Sequence, residues 1–183
     1  FWSENGGFRH YTNNTREIRT AADMGGLKMR TMNHPLHMEI AKSLGMSPTP
    51  IAWGELYTAL QTGVVEGQEN AIPTFLIPKL YEVQKYMVLD GHVYSINMVV
   101  LNEAWYQALP DELKAAIQQA ATIALTTNRG LSVANEISGR RYLEAQGMVI
   151  HDPTAAEKAE VRALAQPPAL AWIKGHAAPA LID

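Results

Sequence analysis

The chain is 183 residues long, room for one generous domain or two small lobes, and 47% of it is apolar, which excludes wholesale disorder. Fifteen Lys and Arg against eighteen Asp and Glu give a net charge of −3, without the basic excess that a protein held on nucleic-acid phosphates needs. There is no cysteine, so disulfides, thiolate zinc sites, iron–sulfur clusters and cysteine nucleophiles are excluded, and no apolar run approaches the ~20 residues that span a bilayer.

The opening Phe1-Trp-Ser-Glu-Asn-Gly-Gly7 holds no initiator Met and no leader with a basic start and apolar centre. A processed, recombinant or partial chain is expected. Short apolar runs then alternate with helical stretches, the pattern of an α/β layer fold. Leu27 to Met32 reads as a strand, with Lys28 and Arg30 alternating with apolar neighbours. Leu36 to Leu44 reads as a helix with Leu36, Ile40 and Leu44 on one face and Gly45 just beyond it. Thr49 to Trp53 is strand-like, Glu55 to Thr62 helical with Gly63 at its end, and Val64-Val65 begins a strand running into Gly67-Gln68-Glu69-Asn70. Strands joined by such short helices are expected to run parallel with right-handed crossovers, and ligands of such sheets sit at the carboxyl ends of the strands.

The second half differs. Tyr94 to Leu101 reads as a buried strand. From Pro110, followed by Asp111 and Glu112, helical periodicity runs to about Gln146, with Leu113, Ile117, Ala120, Ala124, Leu131, Ala134 and Ile137 on one face. At 1.5 Å per residue this is roughly 50 Å, so the helix either breaks near Asn128 to Gly130 or straddles two lobes. Gly147 ends it, Met148 to His151 is a short strand, and Thr154-Ala-Ala-Glu157 is a capping box opening another helix. Pro167-Pro168 is expected to interrupt that helix, and Gly175 to Asp183 to be loosely held.

Signatures of catalysis are missing: there is no G-x-S-x-G elbow, P-loop or G-x-G-x-x-G. His34 and His37 stand three apart near a helix start with Glu39 following, but zinc would need a third ligand and supporting partners that the sequence does not display. Solvated or capping roles are expected for both, and structural roles for His10, His92, His151 and His176. Arg9 and Arg30 lie beside strand ends, where a guanidinium fork matches a carboxylate, although pairing with an Asp or Glu is the plainer use. Trp53 can wall a cleft or fill the core. Asn70 can bind a carboxylate or cap its own turn.

Five segments change that balance: Asn5-Gly-Gly-Phe-Arg9-His-Tyr-Thr-Asn-Asn14, Gly26-Leu-Lys-Met-Arg30, Glu55-Leu-Tyr-Thr-Ala-Leu-Gln61, Gly63-Val-Val-Glu-Gly-Gln-Glu-Asn70 and Tyr81-Glu-Val-Gln-Lys-Tyr86. In wording, order and spacing the chain resembles the extracytoplasmic solute-binding proteins of tripartite ATP-independent periplasmic (TRAP) transporters, of the DctP type. Arg16-Glu17-Ile18 stands where Arg-Pro-Ile is common in that family. The resemblance implies a periplasmic-binding-protein-like fold of two α/β lobes, with a ligand held between them and passed to membrane permease subunits. It implies a periplasmic location after removal of a signal peptide, no cofactor, no catalysis, and a small carboxylate as ligand. Carried over by position, Arg30 grips the carboxylate, Arg9 adds a second contact, Asn70 hydrogen-bonds the same group and Trp53 is a pocket wall.

The resemblance covers the C-terminal part of a family member, so most of the first lobe is expected to lie outside the chain. Residues 1–94 would form the second, carboxylate-gripping lobe and 95–109 a strand and short helix of the first. Residues 110–146 would be a helix straddling both, and 147–183 a C-terminal strand and helices. Two other readings stay open on residues alone: a hydrolytic or metal-dependent α/β enzyme using His34/His37 and Glu66/Glu69, and an interaction domain without a small ligand.

Overall fold

A computed structural model describes residues 2–177. One six-stranded mixed sheet organises them, in the order β3-β2-β4-β1-β5-β6. Its strands are β1 (Trp2–Asn13), β2 (Lys28–Thr31), β3 (Ser47–Pro50), β4 (Gly67–Ala71), β5 (Tyr86–Met98) and β6 (Val149–His151). The helices are α1 (Pro35–Ser43), α2 (Leu56–Gln61), α3 (Ile72–Leu76), α4 (Glu103–Gln107), α5 (Asp111–Ala145) and α6 (Ala155–His176). As expected, β2 lies parallel to β3 and β4, and Gly45 and Gly63 follow α1 and α2 at positive φ. The strand expected to end at Trp53 lies earlier, at β3, and Trp53 begins a 3-10 turn instead.

The centre of the sheet is β1, antiparallel to both β4 and β5. Its Gly, Asn and His content carries little strand propensity, so tertiary pairing rather than local preference makes it a strand.

Because side chains alternate along a strand, the sheet has two apolar faces, each covered by helices. On one, Tyr11, Met29 and Val88 meet Ile40 and Ala41 of α1 and Ala165 of α6. On the other, Met87 and Met148 meet Leu56 and Leu60 of α2, Ile72 and Phe75 of α3, and Leu143 of α5. A three-layer α/β arrangement results.

Of the two alternatives for the long helix, the unbroken one is seen: α5 continues for 35 residues. Three expectations need correction. The buried positions of α5 are Ser132, Gly139 and Leu143, whereas Leu113, Leu131 and Ile137 are exposed. Gly139 sets that face, since a Cβ there would stand 2.6 Å from Ile72 Cγ2, and its absence lets α5 settle on α3. Pro167 and Pro168 do not end α6. They remove two backbone donors, but Ala165 and Ala169, on either side of them, pack against the same apolar cluster, and the Thr154–Glu157 capping box secures the helix start. Finally, Tyr94 to Leu101 is no buried strand: β5 stops at Met98, and Ile96, Val99, Val100 and Leu101 are exposed, because nothing among the described residues covers them. Of the tail, Gly175 and His176 belong to α6, and residues beyond 177 lie outside the described part.

Candidate carboxylate site and its buried charge network

The parallel strands β2 and β4 end side by side, and the candidate residues cluster at that end. The register pairs Met29 with Gly67 and Tyr11 with Glu69. Alternation therefore places Arg30 and Asn70 on the face carrying α2 and α3, and Arg9 and Glu69 on the face carrying α1 and α6.

Arg30 is 3% exposed. Its Nε donates to the Ile51 carbonyl at 2.9 Å, its Nη1 is buried without a partner, and among the described residues no carboxylate pairs with it. Burial lowers its pKa, Glu69 raises it and Arg9 lowers it again, yet a guanidinium stays charged at physiological pH. The ring of Trp53, 42% exposed, lies 5.7 Å from the guanidinium carbon, within cation–π range. Asn70 is buried; its Oδ1 accepts the Ala71 N–H at 3.0 Å, and its amide nitrogen engages no other group among the described residues. A buried cation, a free amide donor and an aromatic wall thus lie near one strand end. An unsatisfied buried donor costs about 1–3 kcal/mol and more when charged, so an acceptor that meets Arg30 Nη1 offsets that cost.

Arg9 is engaged differently. Its Nε and Nη2 donate to the two carboxylate oxygens of Glu69 at 2.5 and 2.8 Å, and Nη2 also reaches the Glu69 carbonyl at 3.0 Å. Only Nη1 looks elsewhere, toward Ser95 Oγ at 3.4 Å. Such a bidentate buried pair is strong in geometry but costly to desolvate, and further partners share it. His92 lies between two acids, with Nδ1 2.7 Å from Asp90 and Nε2 3.3 Å from Glu69. Its ring stacks on Tyr11 with centroids 4.1 Å apart. His37 adds a contact of 3.7 Å to Glu69.

A bulge delivers Asp90 and His92. Between Arg9↔Val93 and Tyr11↔Val88, His10 of β1 alone stands opposite the stretch 89–92 of β5. The excess turns on Gly91 at φ +61°, folding both side chains inward, as bulges do. The Gly91 N–H donates to His10 Nδ1 at 3.2 Å.

The network sets the protonation of its members. Burial pushes the Glu69 carboxyl up, but hydrogen bonds from His92 and Arg9 and their charges outweigh it and hold it at about 2. Burial would lower His92, but the charge and hydrogen bond of Asp90, then those of Glu69, raise it to about 9. His37 is lowered, chiefly by burial. With His92 raised from 6.5 to about 9, its contribution to stability is complete below pH 6.5 and lost as pH climbs through 9. That of Glu69, depressed from 4.5, is present above pH 4.5 and lost as pH falls toward 2. Urea titrations of the wild type and His92→Gln should show the wild type losing stability from pH 6.5 to 9.5 and the variant losing markedly less. Equal alkaline slopes would contradict the imidazolium.

From sequence alone His92 reads as a lone structural residue and Glu69 as an acid of the enzyme alternative, and nothing singles out Asp90. A buried Glu inside Gly-Gln-Glu-Asn and an Asp-Gly turn signal within a strand run were the available clues. The structure does not assemble His34, His37, Glu66 and Glu69 into one centre. The His34 ring caps α1 by accepting the Leu36 N–H, while Glu66 accepts the Lys28 N–H at 2.8 Å.

Over residues 1–174 the sequence matches the family described as bacterial extracellular solute-binding protein, family 7 (DctP). The chain belongs to this family. A solute-binding protein of Verminephrobacter eiseniae is 40% identical over 151 residues, 82% of this chain and 45% of that relative. The sialic acid-binding periplasmic protein SiaP of Vibrio cholerae is 42% identical over 114 residues, 62% of this chain and 35% of its own. Among solved structures, the sugar acid binding protein of Advenella mimigardefordensis in complex with galactonate superposes with a TM-score of 0.90 at 31% identity, over 99% of this chain and 58% of that one. A TRAP periplasmic solute binding protein from a Polaromonas species, bound to D-erythronate, superposes with a TM-score of 0.78 at 39% identity, over 94% and 56%. The fold of this DctP-family chain is thus that of the TRAP solute-binding proteins, and the chain spans about half the length of the relatives it matches. The family is one of binding proteins rather than enzymes, which sets aside the catalytic reading of His34/His37 and Glu66/Glu69. Among the described residues no helix is long and apolar enough to cross a membrane.

Proposed function

We propose that this chain supplies the carboxylate-gripping part of a periplasmic receptor that captures a small organic acid and passes it unchanged to TRAP permease subunits. The observation that carries this reading is Arg30, a buried, permanently charged guanidinium with an unused donor beneath an exposed tryptophan. Asn70 donates to the same carboxylate, Trp53 covers the ligand's less polar side, and Arg9, its charge already balanced by Glu69, adds a hydrogen bond through Nη1. Relatives named for binding sialic acid and 2,3-diketo-L-gulonate, and neighbours bound to D-erythronate and acetolactate, support an acid as the ligand class. In this proposal residues 1–94 form the gripping lobe, 95–109 belong to the facing lobe, 110–146 straddle both, and 147–183 are the C-terminal segment. The apolar surface of Ile96, Val99, Val100 and Leu101 is what the facing lobe covers.

Thermal-shift screening of the full-length protein against sugar acids, keto acids and hydroxy acids tests this. At a ligand concentration 100 times the Kd, binding adds about 2.7 kcal/mol to stability, and the bound acid should be recovered intact. Failure of every organic acid at millimolar concentration to shift the melting point would overturn the reading.

A further inference from the structure

We propose that the trough between α1 and α6 is a second binding site, separate from the carboxylate cleft. It takes a free medium-chain carboxylate, with the apolar tail laid along the trough and the acid head held at its Lys158–Arg162 end. The cavity measures about 400 Å³, within the range of small-molecule sites. Leu36 and Ile40 of α1 line one side, Ala169 and Ile173 of α6 the other, and Val93 with the Gly91 bulge of β5 the floor. It exists because α6 turns small side chains this way. Ala165 and Ala169 pack against the same apolar cluster as α1, yet are too short to fill the space between the two helices. Protein interiors leave few such voids, and an apolar one favours an apolar occupant over water. From Arg162 to Ile173 the helix runs roughly 16 Å, room for one tail of medium length and not for the paired long chains of a membrane lipid.

The ionisable residues lining the trough are Asp90, His92, Lys158 and Arg162. The first two are spent on each other at 2.7 Å, and the second oxygen of Asp90 accepts the Tyr11 N–H at 3.3 Å. Lys158 and Arg162, one turn apart on α6, remain. Lys158 reaches Asp152 only at 3.9 Å, and that acid already meets Arg140 at 2.9 Å. Arg162 is exposed and pairs with no carboxylate among the described residues. Two cations at one end of an apolar trough match an amphipathic anion, whose tail gains from burial and whose head gains charge-assisted hydrogen bonds. Arg30, Asn70 and Trp53 do not line this cavity, so the site is independent of the cleft.

Calorimetric titration of the full-length protein with octanoate at pH 7.5 tests this, on the wild type and on Arg30→Ala, which disables the cleft. Octanoate binding is expected to survive in Arg30→Ala and to be roughly 10-fold or more tighter than that of 1-octanol, which has the tail without the charge. Acetate, the head without the tail, should give no heat with that variant. Arg162→Glu, an exposed substitution, should weaken octanoate by roughly 10-fold or more and leave sugar-acid binding unchanged, and Ala169→Leu, which puts a side chain into the trough, should abolish octanoate binding. Octanol as tight as octanoate, or no effect of Arg162→Glu, would overturn the anion assignment; no octanoate binding at millimolar concentration would overturn the site itself. Loss of octanoate binding in Arg30→Ala would place the acid in the cleft, removing this site while supporting the receptor reading. Octanoate binding with every sugar, keto and hydroxy acid failing would do the reverse.

Discussion

Replacing Arg30 by alanine should remove organic-acid binding while leaving the empty protein as stable as before. The lost interaction is a charge-assisted contact in a desolvated pocket, worth roughly 2–5 kcal/mol, or about 30-fold to several thousand-fold in Kd. The stability half of the expectation follows from the surroundings of Arg30: it is buried with an unpartnered Nη1 and no paired carboxylate among the described residues, so deleting it relieves a desolvation cost that offsets the lost bond to Ile51 and the lost contact with Trp53. Arg30→Lys keeps the charge but loses the planar fork and its stacking under Trp53, so it should recover only part of the affinity. Calorimetry and ligand-free thermal melts on the same samples separate the two effects. Near wild-type affinity in Arg30→Ala would remove this residue from the site; a large ligand-free destabilisation would show that it is structural.

The opposite behaviour is expected at Glu69. In Glu69→Ala, Arg9 loses its bidentate partner and His92 one of its two acids, leaving buried positive charge uncompensated. Breaking a buried pair from one side costs about 3–5 kcal/mol, which for a chain of this size lowers the melting temperature by about 6–20 °C. Glu69→Gln, which can still accept from Arg9, should lose less. Denaturant titration near pH 6, where the pair is fully formed, reads the loss directly; a change below about 1 kcal/mol would show that the network is dispensable to folding. The contrast between the two positions is informative because both are buried charges, one balanced within the chain and the other unbalanced.

Much of the architecture was readable from local signals. The Thr154–Glu157 capping box and the glycines closing α1 and α2 follow from residues within a few positions of one another, and the short helices between β2, β3 and β4 point to their parallel pairing. Arg30, Asn70 and Trp53 were singled out, but on residue type alone each had an equally ordinary use. Their common position near the ends of β2 and β4, and the unpartnered Nη1 of Arg30, are what the structure adds in favour of the binding role. What failed was non-local. The centre of the sheet, β1, does not read as a strand because Gly, Asn and His speak against one, and two neighbouring strands override that preference. Pro167-Pro168 should have stopped α6, but packing on both sides of the pair carries it through.

By itself, then, the sequence determined the α/β class, the family resemblance and the residue types able to hold a carboxylate, because these depend on composition, spacing and short-range backbone chemistry. The tertiary structure decided which of the two arginines is paired with a carboxylate. Arg9 and Glu69 are 60 positions apart, and His92 is 23 beyond Glu69, so no periodicity links them. Strand register and one bulge bring them within hydrogen-bond distance, and in a desolvated interior that pairing settles where the unbalanced charge lies.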